Sequence, residues 1–413
     1  MVSSKSHSAS NKRYKTIRGG IAAPQGFFCS GISSGIKKQG LLDLCLIHSR
    51  APASSAAVFT RNRAVAAPIV WTRKALRNPV LHAVIANSGN ANACTGDQGY
   101  RDTAAMAAAT AKELSLNKQE VAVASTGVIG LPLPLGRILT AIPILAKGLS
   151  RNGGTRAARA IMTTDTKPKT ASLEWKVMGK KVRIGGIAKG SGMIHPDMAT
   201  MLTFLSTDAA MDPPLLKAAL QKAVDESFHR ITVDGDTSTN DMVLIMANGL
   251  SNATIHKKNL LSSGFQEALN RVCMDLARSI VLDGEGATKF ATIRVVNGKT
   301  QERSLAIARK IACSSLVKTA FFGEDPNWGR IIAAAGASGV AVRPDRIDIY
   351  FDTVKVVRQG VGLGSAQEKL AGRVLQKKKF VVTVDLHQGS SSAEVYTSDL
   401  SFDYVKINAE YRS

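Results

Sequence analysis

The 413-residue chain lacks most of the features that assign a protein to a class at sight. Its five cysteines (Cys29, Cys45, Cys94, Cys273 and Cys313) are odd in number, scattered, and without a Cys-x-x-Cys pair. That argues against a disulfide framework or a zinc site and fits reduced, mostly buried thiols in a cytoplasmic-type compartment. The seven histidines are equally dispersed, with no His-Glu-x-x-His, so no metal site is expected. No apolar run approaches the roughly 18 residues of a membrane-spanning helix, so no membrane partner is expected. Acidic side chains are scarce, 31 against 54 Lys and Arg, for a net charge of +23. The deficit is local. Residues 1–199 hold 28 basic and 8 acidic side chains, whereas residues 200–413 hold 26 and 23. Such a charge suggests nucleic-acid binding. Aromatics are only 5% and no helix reads as a basic stripe, which counts against that class.

What is present is globular: 45% hydrophobic and 21% charged, with enough length for two or three subdomains. Residues 1–18 are Ser-rich and basic, without the apolar stretch of a secretory signal or the regular apolar spacing of a transit-peptide helix. They read as a disordered basic tail of a cytoplasmic protein, with an organellar leader and the mitochondrial matrix as the alternative. Apolar, β-branched runs predict strands at Ala83–Ala86, Val121–Ala124, Met201–Leu205, Met242–Met246, Ala291–Val296, Ile347–Phe351 and Phe380–Asp385. Asp102 is the expected N-cap of an Ala-rich helix to Leu114, and Pro213-Pro214 opens a helix towards Phe228. Phe265, Leu269, Val272, Leu276 and Ile280 mark one apolar helix face. The fold class is therefore α/β. Gly284–Gly286 predicts a boundary near residue 288, with a core over 19–288 and a C-terminal α+β subdomain over 289–413.

Some motifs carry little. Gly31-Ile32-Ser33-Ser34-Gly35 matches a nucleophile elbow, but the residues after it read as a turn and not a helix. Gly360-Val361-Gly362-Leu363-Gly364 lacks the spacing of a dinucleotide fingerprint and reads as a flexible loop. Residues 52–60 and 103–111 are alanine-rich, which points to close packing.

Four segments are richer in reactive groups. Lys189–Thr200 is a Gly- and Pro-containing loop that delivers Thr200 to a strand. A hydroxyl placed there can attack the preceding carbonyl, and hydrolysis of the ester would cut the chain between Ala199 and Thr200. The freed α-amino group, with a reference pKa of about 7.7–8.0, can then act as base to its own hydroxyl. An ordinary loop entering a strand is the plain alternative. Ala124–Gly130 ends a strand in Ser125-Thr126-Gly127, which can present a hydroxyl and an N–H to an oxyanion or simply form a β-turn. Each such donor is worth about 3–4 kcal/mol in a transition state. Thr163–Lys169 is dense in donors but also typical of a surface loop. Asp283–Lys289 holds Glu285 between two glycines, suited to a ligand ammonium or to a helix C-cap.

In this order these segments resemble the ornithine acetyltransferase family of arginine biosynthesis (the ArgJ family). So do Gly26-Phe27, Gly31–Lys37, Ala86–Gly96, Gly323–Arg330 and Ile407–Tyr411. The resemblance runs from about residue 19 to the end. It implies the family's own fold, related to N-terminal-nucleophile aminopeptidases, and self-cleavage of the core between Ala199 and Thr200 into an alpha chain (1–199) and a beta chain (200–413). Thr200 would take the acetyl group of N2-acetylornithine and pass it to glutamate. Thr126 and Gly127 match the oxyanion pair, and Thr163, Lys189, Thr200, Glu285 and Asn408 match substrate contacts. The family's terminal threonine is Ser413 here, which keeps the hydroxyl and loses the methyl. No cofactor is implied, although acetyl-coenzyme A is an alternative acetyl donor, and the two fragments would pair into an α2β2 assembly. The basic excess then belongs to the alpha fragment, where it offers steering to anionic substrates; charge spread over solvated faces is the alternative. An aminopeptidase, releasing product to water, is the rival enzyme.

Overall fold

The computed structural model describes residues 13–38, 40–195 and 201–410. The expected tail is thus tested only over 13–18, and there it is corrected. Lys15–Thr16 is a strand, β1, paired antiparallel with Leu173 and Glu174. Tyr14 is buried, its hydroxyl 2.9 Å from both the Gly264 carbonyl and the Glu267 carboxylate, and its ring lies against Trp175. A large ring with bonded partners outweighs the polar composition around it.

The chain divides into two compact units. The first takes the described residues of 1–190, 200–228 and 237–280, and the second those of 191–199, 229–236 and 281–413. The second unit therefore begins eight residues before the expected 289 and draws in two short segments from upstream.

The first unit is built on a nine-stranded sheet. Its further strands are β2 (Phe27–Ile32), β3 (Leu44–Phe59), β4 (Val80–Asn90), β5 (Val121–Val128), β6 (Lys169–Val177), β7 (Lys180–Lys189), β8 (Leu202–Thr207) and β11 (Met242–Ala247). The order is β1-β6-β7-β8-β11-β3-β4-β5, with β2 on β3. The β8–β11 and β4–β5 pairs are parallel, the rest antiparallel. Both β8 and β11 are buried along their whole length, which is why β11 reads as an unbroken apolar run, whereas β8 carries three buried hydroxyls, Thr203, Ser206 and Thr207. Strand β3 pairs with β2 and β4 through its first half and with β11 through Ser54–Phe59. A register shift between His48 and Ala53 takes up Pro52, which has no N–H to give a ladder. A short pair, β9 (Ala210–Met211) with β12 (Thr254–Ile255), stands apart.

Helices pack on this sheet. The helix Gly96–Leu114 starts earlier than the expected Asp102, which instead lies buried inside it and accepts from the Gln98 amide at 2.6 Å. Pro213 and Pro214 do open the helix Pro213–Glu226, behind Asp212 as N-cap. The five apolar residues from Phe265 to Ile280 are all fully buried on the helix Phe265–Leu282.

The second unit has a seven-stranded sheet: β10 (Ile231–Thr232), β13 (Phe290–Gly298), β14 (Asp348–Phe351), β15 (Val354–Arg358), β16 (Val361–Gly362), β17 (Lys379–Asp385) and β18 (Ser391–Ser398), in the order β10-β18-β13-β17-β14-β15-β16. Alternating burial along β17 turns Phe380, Val382 and Val384 into a core shared with Ile293, Ile307, Ile311, Phe321 and Phe351. Gly360–Gly364 is not a loop throughout: Val361–Gly362 extends the sheet edge, and Gly364 precedes the helix Ser365–Leu375. Among the described residues no helix is long and apolar enough to cross a membrane.

Candidate active site

Ala199 and Thr200, the expected cleavage pair, lie outside the described residues, as does Ser413. Their covalent neighbours are described. The N–H of Met201 donates to Asp241 Oδ1 at 3.0 Å, and the Met242 N–H to the Met201 carbonyl at 3.2 Å. Lys189, the last residue of β7, sits in register with Leu202. Thr200 is therefore bonded to a residue whose backbone is fixed on two sides.

Asp241 is fully buried, and among the described residues its Oδ2 has no hydrogen-bond partner. Burial pushes its pKa well above the ordinary carboxyl value, against the Met201 N–H, the Lys189 charge and nearby Ser238. The residue before it ties in a second segment. The Asn240 amide donates to the carbonyls of Ala91 (2.6 Å) and Ser125 (2.9 Å). Ser125 in turn donates to Asn87 at 2.6 Å. Thr126 and Gly127 follow directly on β5, Thr126 being buried. Gly127 has φ of +133°, and a Cβ there would fall 2.3 Å from the Gly89 carbonyl carbon. Only glycine allows this backbone-on-backbone approach.

The first unit also brings Lys189 and Thr163 together: Lys189 Nζ lies 3.4 Å from Thr163 Oγ1, with Lys189 almost wholly buried. Asp165 is their organiser. It accepts from Lys169 Nζ at 2.5 Å, the Gly190 N–H at 2.8 Å and the Thr163 N–H at 3.0 Å. Burial opposes its ionisation, but Lys169 and Lys189 outweigh it and hold the carboxyl below its usual value. Lys37 donates to the carbonyls of Leu42 and Met162, and burial pushes its ammonium down to about 8 against the pull of Asp43 and Asp165. Asp43 accepts from the N–H groups of Ser34, Ile36 and Lys37. That is the work of the Gly31–Gly35 motif: a turn wrapped on a carboxylate, and no nucleophile elbow.

The second unit brings Glu285 and Asn408 together, with Asn408 Nδ2 donating to Glu285 Oε2 at 2.9 Å. A Cβ on Gly192 would fall 2.2 Å from that oxygen, so any side chain there would push the Glu285 carboxylate aside. Ser191 is fastened on both sides, its hydroxyl to the Asp283 carbonyl (2.7 Å) and its carbonyl to the Glu285 N–H (2.9 Å). Asp234 accepts from the N–H groups of Met193 (2.6 Å) and Ile194 (2.7 Å) and from Tyr404 (3.2 Å). Burial nevertheless raises its pKa, and burial with the Asp234 charge raises that of Tyr404. Among the described residues no three His, Cys, Asp or Glu side chains are grouped to hold a metal ion.

The pattern of the ArgJ family matches residues 28–413. The arginine biosynthesis bifunctional protein ArgJ of Symbiobacterium thermophilum is 48% identical over 400 residues, 96% of this chain and 99% of the relative. Its counterpart in Geobacter sulfurreducens is 49% identical over 390 residues, 94% of this chain and 99% of the relative.

The chain belongs to the ArgJ family.

A solved ornithine acetyltransferase of Mycobacterium tuberculosis, complexed with ornithine, is 40% identical, covers 46% of this chain and all of its own, and has a TM-score of 0.42. Several residues of this ArgJ chain escape sequence reasoning. Asn240 and Asp241 end a polar run, Asp234–Asp241, directly before the apolar strand β11, the same sequence pattern that singles out Thr200. That parallel was the available signal. Asp165, Lys37 and Asp234 carry no motif that marks them.

Proposed function

We propose that this ArgJ-family enzyme of arginine biosynthesis is a self-processing acetyltransferase that moves an acetyl group from N2-acetylornithine to glutamate. In processing, Thr200 Oγ attacks the Ala199 carbonyl carbon, the Ala199–Thr200 amide becomes an ester, and water hydrolyses it to the Ala199 carboxylate and a free Thr200 amine. That amine then takes the proton of its own hydroxyl as Oγ attacks the acetyl carbonyl. Thr126 and the Gly127 N–H stabilise the resulting oxyanion. Collapse returns the proton to the departing nitrogen and releases ornithine, leaving an acetyl ester on Thr200. The glutamate amine attacks this ester, and N-acetylglutamate leaves with the hydroxyl restored. Lys189 and Thr163 suit a substrate carboxylate, and Glu285 with Asn408 suits an ammonium. Ser413 supplies the terminal hydroxyl, and the alpha and beta fragments stay together as α2β2. Acetyl-coenzyme A serves as a second donor to the same threonine, without a resident cofactor.

One observation supports this reading most strongly. The Asn240–Asp241 pair bonds the end of β5, where Thr126 and Gly127 stand, to the N–H of the residue that follows Thr200. An oxyanion wall and a nucleophile need that kind of rigid link. The test is acceptor choice. N2-acetylornithine with glutamate should yield N-acetylglutamate and ornithine, whereas release of free acetate alone would make the protein a hydrolase.

A further inference from the structure

The first unit has a cavity of about 500 Å³ away from the residues described above. Its walls are the last residues of β3, the helix Ala67–Ala75 with the turn to Pro79, and the first turns of the helix Pro213–Glu226. Three cations line it, Arg73, Arg77 and Lys217, and no carboxylate does. Among the described residues none of the three forms an ion pair with an acid. Arg73 is preorganised: it donates to the Thr60 carbonyl at 3.1 Å, and its guanidinium lies 5.1 Å from the centre of the Phe59 ring. The first two helical residues of the opposite wall are Pro213 and Pro214, which lack N–H donors. That helix start therefore offers an anion no N–H from its first two residues, which leaves the three cations as the charged donors of the lining. Phe59, one face of its ring under the Arg73 guanidinium, supplies an aromatic surface of the kind on which nucleobases stack.

The cavity's place in the sheet limits what it serves. Phe59 is in register with Met242, and Met242 with Leu202. The cavity wall is thus two strand spacings, about 10 Å, from the strand that begins just after Thr200. We propose that this cavity binds the phosphorylated adenine-nucleotide end of an acetyl-coenzyme A donor, with Arg73, Arg77 and Lys217 on the phosphates and the base against Phe59. The inference rests on the acetyl-threonine reading and adds where that donor is recognised. It also gives part of the basic excess of residues 1–199 a task, since Arg73 and Arg77 both lie there.

The test uses the processed enzyme and the double variant Arg77→Glu/Lys217→Glu, which leaves the structurally bonded Arg73 in place. With glutamate as acceptor, KM for acetyl-coenzyme A should rise about tenfold or more, as expected for reversing two phosphate contacts. Kinetics with N2-acetylornithine should stay within about twofold. Adenosine 3′,5′-bisphosphate should compete with acetyl-coenzyme A in the wild type and lose that effect in the variant. An unchanged KM for acetyl-coenzyme A overturns the inference, as does a wild type that transfers from N2-acetylornithine but not from acetyl-coenzyme A. Binding of the bisphosphate that the variant abolishes without any change in donor kinetics would also overturn it, making the cavity a site for a free nucleotide. Failure of N2-acetylornithine itself as donor would instead count against the parent reading.

Discussion

Replacing Asp241 separates two things its carboxylate does. Asp241 Oδ1 accepts the Met201 N–H at 3.0 Å in a fully buried setting, and Oδ2 has no partner among the described residues. Asp241→Ala strands a buried N–H, which costs about 1–3 kcal/mol, and opens a small void besides. Asp241→Asn keeps an acceptor for that N–H and removes the ionisable group. Burial raises the folded carboxyl's pKa well above its unfolded value. Its stabilising contribution is therefore complete below about pH 4 and is lost as pH rises towards the folded value, by about 1.4 kcal/mol per unit of difference. The amide does not titrate. Denaturant unfolding at a series of pH values between 4.5 and 8 should show the Asn variant gaining on the wild type as pH rises. The Ala variant should be less stable than the Asn variant throughout. Processing should follow the same order, because the anchored N–H is that of Met201, the residue joined to Thr200: the Asn variant should still cut and the Ala variant should accumulate as one chain. A stability gap between Asn and wild type that does not change with pH would refute the buried-carboxyl argument, and equal stability of Ala and Asn would refute the anchor.

Other perturbations reach the remaining parts of the account. Gly127→Ala forces a side chain onto a φ of +133° and into the Gly89 backbone; acetyl transfer should fall by about a hundredfold or more, read as kcat at saturating donor. Lys318 is buried with its ammonium pushed down to about 8 by burial, although it donates to Thr397 and Ser398. A lysine whose folded pKa lies below its unfolded 10.4 makes stability rise with pH between about 8 and 10. That rise should be shallower in Lys318→Met than in the wild type, as measured by thermal unfolding across the window. Glu285→Gln keeps an oxygen for Asn408 but loses the charge; KM for N2-acetylornithine should rise about tenfold while the chain still cuts.

Strands and helices with a plain pattern were legible. The apolar runs at 121–124, 242–246 and 380–385 lie inside β5, β11 and β17, and the helix face from Phe265 to Ile280 is buried in full. Strand β3 was not, because its Pro52 and its small residues mimic a loop until the register shift that holds the proline is seen. The start of the helix Gly96–Leu114 was misread because its first turn, Gly96-Asp97-Gln98-Gly99, is made of glycines and polar residues that mimic a loop, so the alanine-rich stretch after Asp102 carried the helical signal. The pairs Thr163 with Lys189 and Glu285 with Asn408 were reachable through the family resemblance, and the structure bonds each pair. Asp165 and Asp241 were not reachable that way. Each is one acid in a polar run, and only tertiary placement turns it inward, against Lys169 in one case and the Met201 N–H in the other.

The central claim is that Thr200 is both the first residue of a fragment and the carrier of the acetyl group. Intact-mass measurement of the purified protein, before and after brief exposure to N2-acetylornithine without glutamate, tests it directly. The account predicts two fragments divided before Thr200, with the mass of one acetyl group gained by the fragment that starts there and lost when glutamate is added. Thr200→Ala should remain a single inactive chain. A single uncut wild-type chain that still transfers acetyl groups, or an acetyl group borne by the other fragment, would contradict it.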